Sequence, residues 1–474
     1  VPPEDGLVVV VKQDCPTCRL VEPVLAALPG LTVWSQDDPG FPAGVGAVGD
    51  DRALDVSVGL DIETVPTLIR FAGGREAERT VGWSRAAWRE LTGIDDLGAD
   101  LPEHRPGCGS RTLDPDVADE LLVRRAGHTL AARRIEVSAL EDEAEAMFDR
   151  GLTDGLPVVT PTPVRVLRML AGTSHPADEV VAVVPPNLVE VTVEKVAVNA
   201  VMAGCRPEYL PVVLAAVAAA CSETFNAHGV LATMWNAGPA ILVNGPVAAE
   251  IGMNAKGNVL GQGNRANSTI GRALQLVIRN VGGGRPGGVD RATFGNPGKV
   301  GLCFAEDEAG SPWEPLSVSR GFAPGSSTVT VFAAEGPVGI LEQISRTPES
   351  ITRSLASTLR VVGHPKTALF FDATLLIGPE HARIYADAGW DRARLTAALD
   401  EALLLDRADV ERGARGIEDG MLPGPERRLP KFRPGGLLVA HAGADAGQIS
   451  TILGGWVGGP AGSSPTTLEV DPWR

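Results

Sequence analysis

Two cysteines spaced for redox work, Cys15 and Cys18, stand in Asp14-Cys15-Pro16-Thr17-Cys18. The apolar run 7–11, LVVVV, precedes them, and RLVEPVLAAL, with a helical pattern, follows. The run reads as a buried strand, so the pair falls where a strand hands over to a helix N-terminus. There the helix dipole and free backbone N–H groups stabilise a thiolate. Cys15 is expected to attack a disulfide, and Cys18 to resolve the mixed disulfide. A zinc half-site is the competing use of such a pair. It needs two further ligands, and the chain has no second CxxC.

The elements around the pair are legible too. Thr64-Val65-Pro66-Thr67 leads into the strand-like Leu68-Ile69-Arg70-Phe71, Gly73-Gly74 supplies a hairpin turn, and Gly82-Trp83 follows. With the CxxC after a buried strand, this order resembles the thioredoxin family over residues 1–95. The resemblance implies a thioredoxin-like fold, a redox-active cysteine pair and a cis Pro66 facing it. Two departures leave the direction of electron flow unassigned. Lys12-Gln13-Asp14 lacks the tryptophan that family carries before its first cysteine, and Pro16-Thr17 replaces its Gly-Pro.

Residues 96–118 are dense in turn formers and read as a linker. Within it, Cys108 lies between Gly107 and Gly109. It is either a thiol that exchanges electrons with the CxxC pair or an incidental linker cysteine. From 119 to 474 a larger α/β domain is expected: a helical stretch first, then β-branched runs alternating with helices. Ala240–Asn254 and Leu375–Trp390 echo one another as strand, Gly-Pro and helix. Two lobes are expected from that echo, with ligands between them or at strand ends.

Three constellations in this domain carry candidate chemistry. Cys205, between Gly204 and Arg206, is placed near the positive end of a helix expected to begin at Pro207, with Glu208 as a nearby acid or base. A plain buried cysteine is the alternative. His228, in Asn226-Ala227-His228-Gly229, is the histidine best set for proton transfer, or a structural one. The third is a glycine- and asparagine-rich loop running into an amphipathic helix. Gly257, Gly261 and Gly263 permit close backbone approach to a ligand. Lys256, Arg265 and Arg272 add charge, and Asn264, Asn267 and Thr269 add polar contacts, as an anion site requires. The carboxylates Glu306, Asp307 and Glu308 lack histidines at ligand spacing and read as a solvated turn, so no metal site is expected. The segments MAGCRPEYLPV and GNRANSTIGRA resemble a widespread bacterial family of unassigned activity, which implies no catalytic residues.

Bulk properties set the limits. The 474 residues call for two or three domains. A formal charge of −17 argues against nucleic-acid binding. No apolar run reaches the roughly 20 residues of a membrane span, and no signal peptide is apparent. Six unevenly spaced cysteines are no disulfide scaffold, which points to a reducing cytoplasm. The expected function is a thiol-dependent oxidoreductase acting on a small anionic substrate, by reductive carbon–heteroatom cleavage or sulfur transfer. Its CxxC module re-reduces a cysteine used in that chemistry, either Cys205 or the linker Cys108. No cofactor is expected beyond the cysteine pair; an external thiol reductant and a homo-oligomer are. The alternatives are a non-redox lyase or hydrolase with a structural or regulatory thioredoxin-like part, and a protein-disulfide reductase with a client-binding domain.

Overall fold

A computed structural model describes residues 4–126, 130–138, 140–459 and 462–474. The chain is mixed α/β and divides into two compact units, residues 1–127 and 128–474.

The first unit opens with β1 (Gly6–Val11), the buried apolar run, and α1 (Pro16–Ala27). Proline at the first helical position suits this start, since its missing N–H would be unpaired there anyway. Then come β2 (Leu31–Ser35), β3 (Val48–Asp50), α2 (Asp55–Gly59), β4 (Thr64–Val65), β5 (Thr67–Ala72), β6 (Arg75–Val81), β7 (Trp83–Ser84) and α3 (Arg85–Thr92). The main sheet has the order β3-β2-β1-β5-β6. β1 lies at its centre, parallel to β2 and antiparallel to β5, and Val8, Val9, Val10 and Val11 are all buried, so both its faces are covered, as a near-continuous valine run requires.

The stretch expected as a linker is instead built into this unit. β8 (His104–Arg105) pairs with β7, and β9 (Cys108–Gly109) pairs with β4. The Gln36 amide donates to Ser110 at 2.7 Å and accepts from the Arg111 N–H at 3.0 Å. α4 (Pro115–Ala126) follows. Turn formers mark where the chain bends, and here the bends fold it back along existing strand edges.

The second unit begins its regular structure with α5 (Glu143–Asp149), α6 (Pro163–Leu170), the hairpin β10 (Val180–Val184) and β11 (Val189–Thr192), α7 (Val193–Ala203), α8 (Leu210–Ala220) and α9 (Ala227–Ala232). α8 is apolar all round because ten of its eleven residues are buried. Among the described residues no helix is long and apolar enough to cross a membrane. β12 (Gly238–Asn244), α10 (Pro246–Glu250), α11 (Arg265–Asn280), β13 (Leu302–Ala305), α12 (Leu316–Ser319), β14 (Thr328–Ala334) and β15 (Pro337–Leu341) follow. The chain ends with α13 (Pro348–Leu359), β16 (Ala373–Ile377), α14 (Pro379–Asp387), α15 (Arg392–Ala402), β17 (Leu404–Asp406), α16 (Arg407–Val410), β18 (Arg428–Pro430), β19 (Leu437–His441), β20 (Ile449–Gly454) and β21 (Thr466–Glu469).

Two four-stranded sheets carry this unit, ordered β13-β12-β14-β21 and β15-β20-β16-β19. Read from opposite ends they match. β12 is parallel to β13 and antiparallel to β14, as β16 is parallel to β19 and antiparallel to β20. Gly245-Pro246 and Gly378-Pro379 start the helices after the corresponding strands β12 and β16. The fourth strands are exchanged: β15, next after β14 in the chain, completes the second sheet, and β21, next after β20, completes the first. Strand alternation builds the layers. Ala240 and Leu242 join Leu376, Leu438 and Leu453 in a core between the sheets. Ile241 and Val243 turn the other way and pack with α7, α8 and α11, while Leu375 and Val439 pack with α13, α14 and α15.

Candidate functional site

Cys15 is the N-cap of α1, and its Sγ accepts the Cys18 backbone N–H at 3.3 Å. Both thiols are fully buried and free of any disulfide. The Cys15 thiol is pulled down from 9.0 to about 5, first by its hydrogen bond with Cys18, against the opposing effect of burial. Cys108 helps through a further side-chain hydrogen bond. Burial, reinforced by the neighbouring Cys15, drives the Cys18 thiol far upward. One thiolate beside one held proton is the division of roles that an attacking and a resolving cysteine require.

The surroundings hold Cys15 in place. The Val65 carbonyl oxygen lies 3.5 Å from its Sγ. The Val65–Pro66 peptide is cis. Across the β4–β9 ladder Val65 is the register partner of Cys108, and the Thr17 hydroxyl donates to the Pro106 carbonyl at 2.7 Å. Gly107 makes this approach possible. A Cβ there would stand 2.4 Å from Thr64 Cγ2 and 2.8 Å from the Val65 oxygen. Thr17, Val65 and Gly107 therefore belong to the site, and the sequence reading missed them in that role. The two glycines flanking Cys108 were the one available signal.

In the second unit the expected thiolate at Cys205 is not formed. Cys205 is buried, and burial pushes its thiol up to about 12, despite a hydrogen bond from Thr269 and the nearby charge of Arg265. The helix expected at Pro207 does begin there, as a 3₁₀ turn, Pro207–Tyr209, that runs directly into α8 at Leu210, so burial outweighs the helix end. Burial likewise raises Cys221 to about 12, and Cys303 is raised as well. Glu208 stands 3.8 Å from Arg206 in an exposed pair, and His228 is exposed on α9.

The glycine- and asparagine-rich loop does meet Cys205: Arg265 Nε donates to the Gly204 carbonyl at 2.9 Å, and Thr269 is the cysteine's neighbour. Its asparagines, however, are spent on the loop itself. Asn264 caps α11 through the Asn267 N–H, and Asn267 accepts from the Asn254 N–H while donating to the Asn254 and Val259 carbonyls. Gly263 takes a positive φ of 114°, whereas the Gly257 and Gly261 backbones do not, and Lys256 is exposed. Arg272 is likewise engaged, bound at 2.8 Å to Asp154.

Glu306 corrects the solvated-turn reading, being 4% exposed. Its carboxylate accepts from Asn244 at 2.7 Å and from the N–H groups of Leu316 and His441, with Arg392 at 3.4 Å. It thus joins the ends of β12, β13 and β19, and burial raises its pKa against Arg392. Among the described residues no group of three or more His, Cys, Asp or Glu is arranged for a metal.

A cavity of about 650 Å³ lies beside α7 in the second unit, walled by the segment 130–137. Met147, Val166, Val198 and Met202 make it largely apolar, and the charges of Arg133, Arg134 and Lys195 are matched by those of Glu136, Glu143 and Glu194. Glu194 closes one side, its carboxylate accepting the Ala131 and Ala132 N–H groups at 2.9 Å each. No protein-family model matches the chain, and no curated protein matches it.

Proposed function

We propose that the chain is a thiol–disulfide oxidoreductase whose first unit is a thioredoxin-like exchange module. The carrying observation is the Cys15 thiol at the N-cap of α1, bound to the Cys18 N–H and held near 5. The Cys15 thiolate attacks one sulfur of a disulfide, and the other sulfur leaves as a thiolate that takes a proton from solvent. Cys18 then attacks Cys15 Sγ, releasing the second thiol and leaving a Cys15–Cys18 disulfide. An external thiol reductant restores the pair. Of the two cysteines expected to exchange with this pair, the geometry favours Cys108. Burial raises both thiols, but Cys108 is partly exposed and hydrogen-bonded to Cys15, whereas Cys205 is buried and its hydrogen bond is with Thr269.

The test is reduction of a small disulfide by the full chain, with the products mapped by mass spectrometry. Cys15→Ser should abolish turnover, and Cys18→Ser should stall with Cys15 held in a disulfide that Cys18 would have resolved. Full turnover by Cys15→Ser would overturn the reading.

A second reading concerns residues 128–474: a two-lobed, non-redox unit that takes a small anionic substrate. The raised thiols of Cys205, Cys221 and Cys303, the first and last of them buried, favour chemistry without thiols there, and the repeated sheet order supports the lobes. The cavity beside α7 offers such a ligand Arg133, Arg134 and Lys195, with Glu136, Glu143 and Glu194 balancing their charge. Thermal-shift screening against carboxylates and phosphates tests it, using Lys195→Ala to locate any binding.

A further inference from the structure

Cys15 has the right chemistry and the wrong accessibility. It is fully buried, whereas Cys108, its neighbour, is partly exposed. What covers Cys15 is the chain's own segment 104–110, laid along β4 and β7 as a peptide added to strand edges. To uncover Cys15, an external disulfide would have to displace both short ladders, the Thr17–Pro106 hydrogen bond and the Gln36–Ser110 bond.

We propose that Cys108 is the contact thiol of the module: external disulfides react at Cys108 and reach Cys15 only through it. This rests on the exchange reading above and adds its outer step. Cys108 Sγ attacks one sulfur of the client disulfide R–S–S–R′. Its proton goes to solvent, and the departing R′S⁻ takes one from solvent and leaves as R′SH. The Cys15 thiolate then attacks Cys108 Sγ, forming a Cys15–Cys108 disulfide and expelling RS⁻. Cys18 gives its proton to RS⁻ and attacks Cys15 Sγ. The Cys15–Cys18 disulfide forms, and Cys108 leaves as a thiolate that is reprotonated from solvent. Two electrons pass from Cys15 and Cys18 to the client, and Cys108 ends as it began.

The buried position of Cys15 then has a use. A thiolate of low pKa exposed to solvent would react with any disulfide or oxidant in reach. Behind Cys108, it meets only what Cys108 has already captured.

The full-length reduced protein, challenged with substoichiometric glutathione disulfide, separates the possibilities. In Cys15→Ser the glutathione adduct should accumulate on Cys108. In Cys108→Ser, formation of the Cys15–Cys18 disulfide should slow roughly tenfold or more, because access now requires opening the segment. Cys108→Ser oxidising at the wild-type rate, or an early wild-type adduct found on Cys15, overturns the contact role while leaving the exchange reading intact. A wild-type chain that never forms the Cys15–Cys18 disulfide overturns both. Should Cys108→Ser misfold, the site of the first adduct on the wild-type chain decides alone.

Discussion

Cys108 and Val65 are register partners across the β4–β9 ladder, which sets the third cysteine of the first unit against the pair in the CxxC turn. The contact depends on Gly107, where no Cβ fits. Gly107→Ala should lift the segment from β4 and destabilise the first unit by about 1–3 kcal/mol, the usual cost of overpacking. It should also expose Cys15. Chemical denaturation and the rate of Cys15 alkylation check both. An unchanged alkylation rate would mean that the segment does not guard the thiol.

Folding lowers the Cys15 thiol from 9.0 to about 5. The folded chain therefore holds this proton less tightly than the unfolded one. The stabilisation from this group is fully present above pH 9, declines as the pH falls, and is gone below about 5. The melting-temperature advantage of the reduced wild type over Cys15→Ser should shrink along the same path. A thiolate absorbance titration of the reduced protein should show a midpoint near 5 that Cys15→Ser removes.

Cys205→Ser should leave disulfide reduction at the wild-type rate, since the Cys205 thiol is buried and its pKa stands near 12. Loss of turnover with the fold intact by circular dichroism would return Cys205 to the redox path.

In the second unit, Arg272 and Asp154 face each other at 2.8 Å with side chains only 14% and 12% exposed. Arg272→Ala strands the carboxylate and should cost about 3 kcal/mol. The double variant Arg272→Ala, Asp154→Ala should recover part of that loss, as measured by a thermodynamic cycle.

What was legible in the sequence was local. Cys15 and Cys18 announce themselves because strand, turn and helix start are contiguous there. Thr64-Val65-Pro66-Thr67 is readable for the same reason. Cys108 looked like a linker thiol because its meaning lies in a ladder with Val65, and no periodicity announces two-residue strands. For Cys205 the sequence left an activated thiol and a plain buried cysteine both open, and the structure has the second. A helix end and a neighbouring arginine were visible in the sequence, but the burial that outweighs them was not. Glu306 sits among strand ends far apart in the chain, so its run of acidic neighbours suggested water where there is a packed interior. The asparagines of the 254–267 loop were seen correctly as a polar cluster, yet their partners are the loop's own backbone.

The exchanged fourth strands of the second unit mean that neither half of it is a separable domain. A break between β15 and β16 would leave the first half with an unpaired edge on β14 and the second with one on β20, each bared where the other's strand belongs. Expressed alone, either half should aggregate through that edge. Expressed together, the two should find each other, since each carries the strand its companion lacks. The interlock is a built-in form of subunit swapping, contained within one chain.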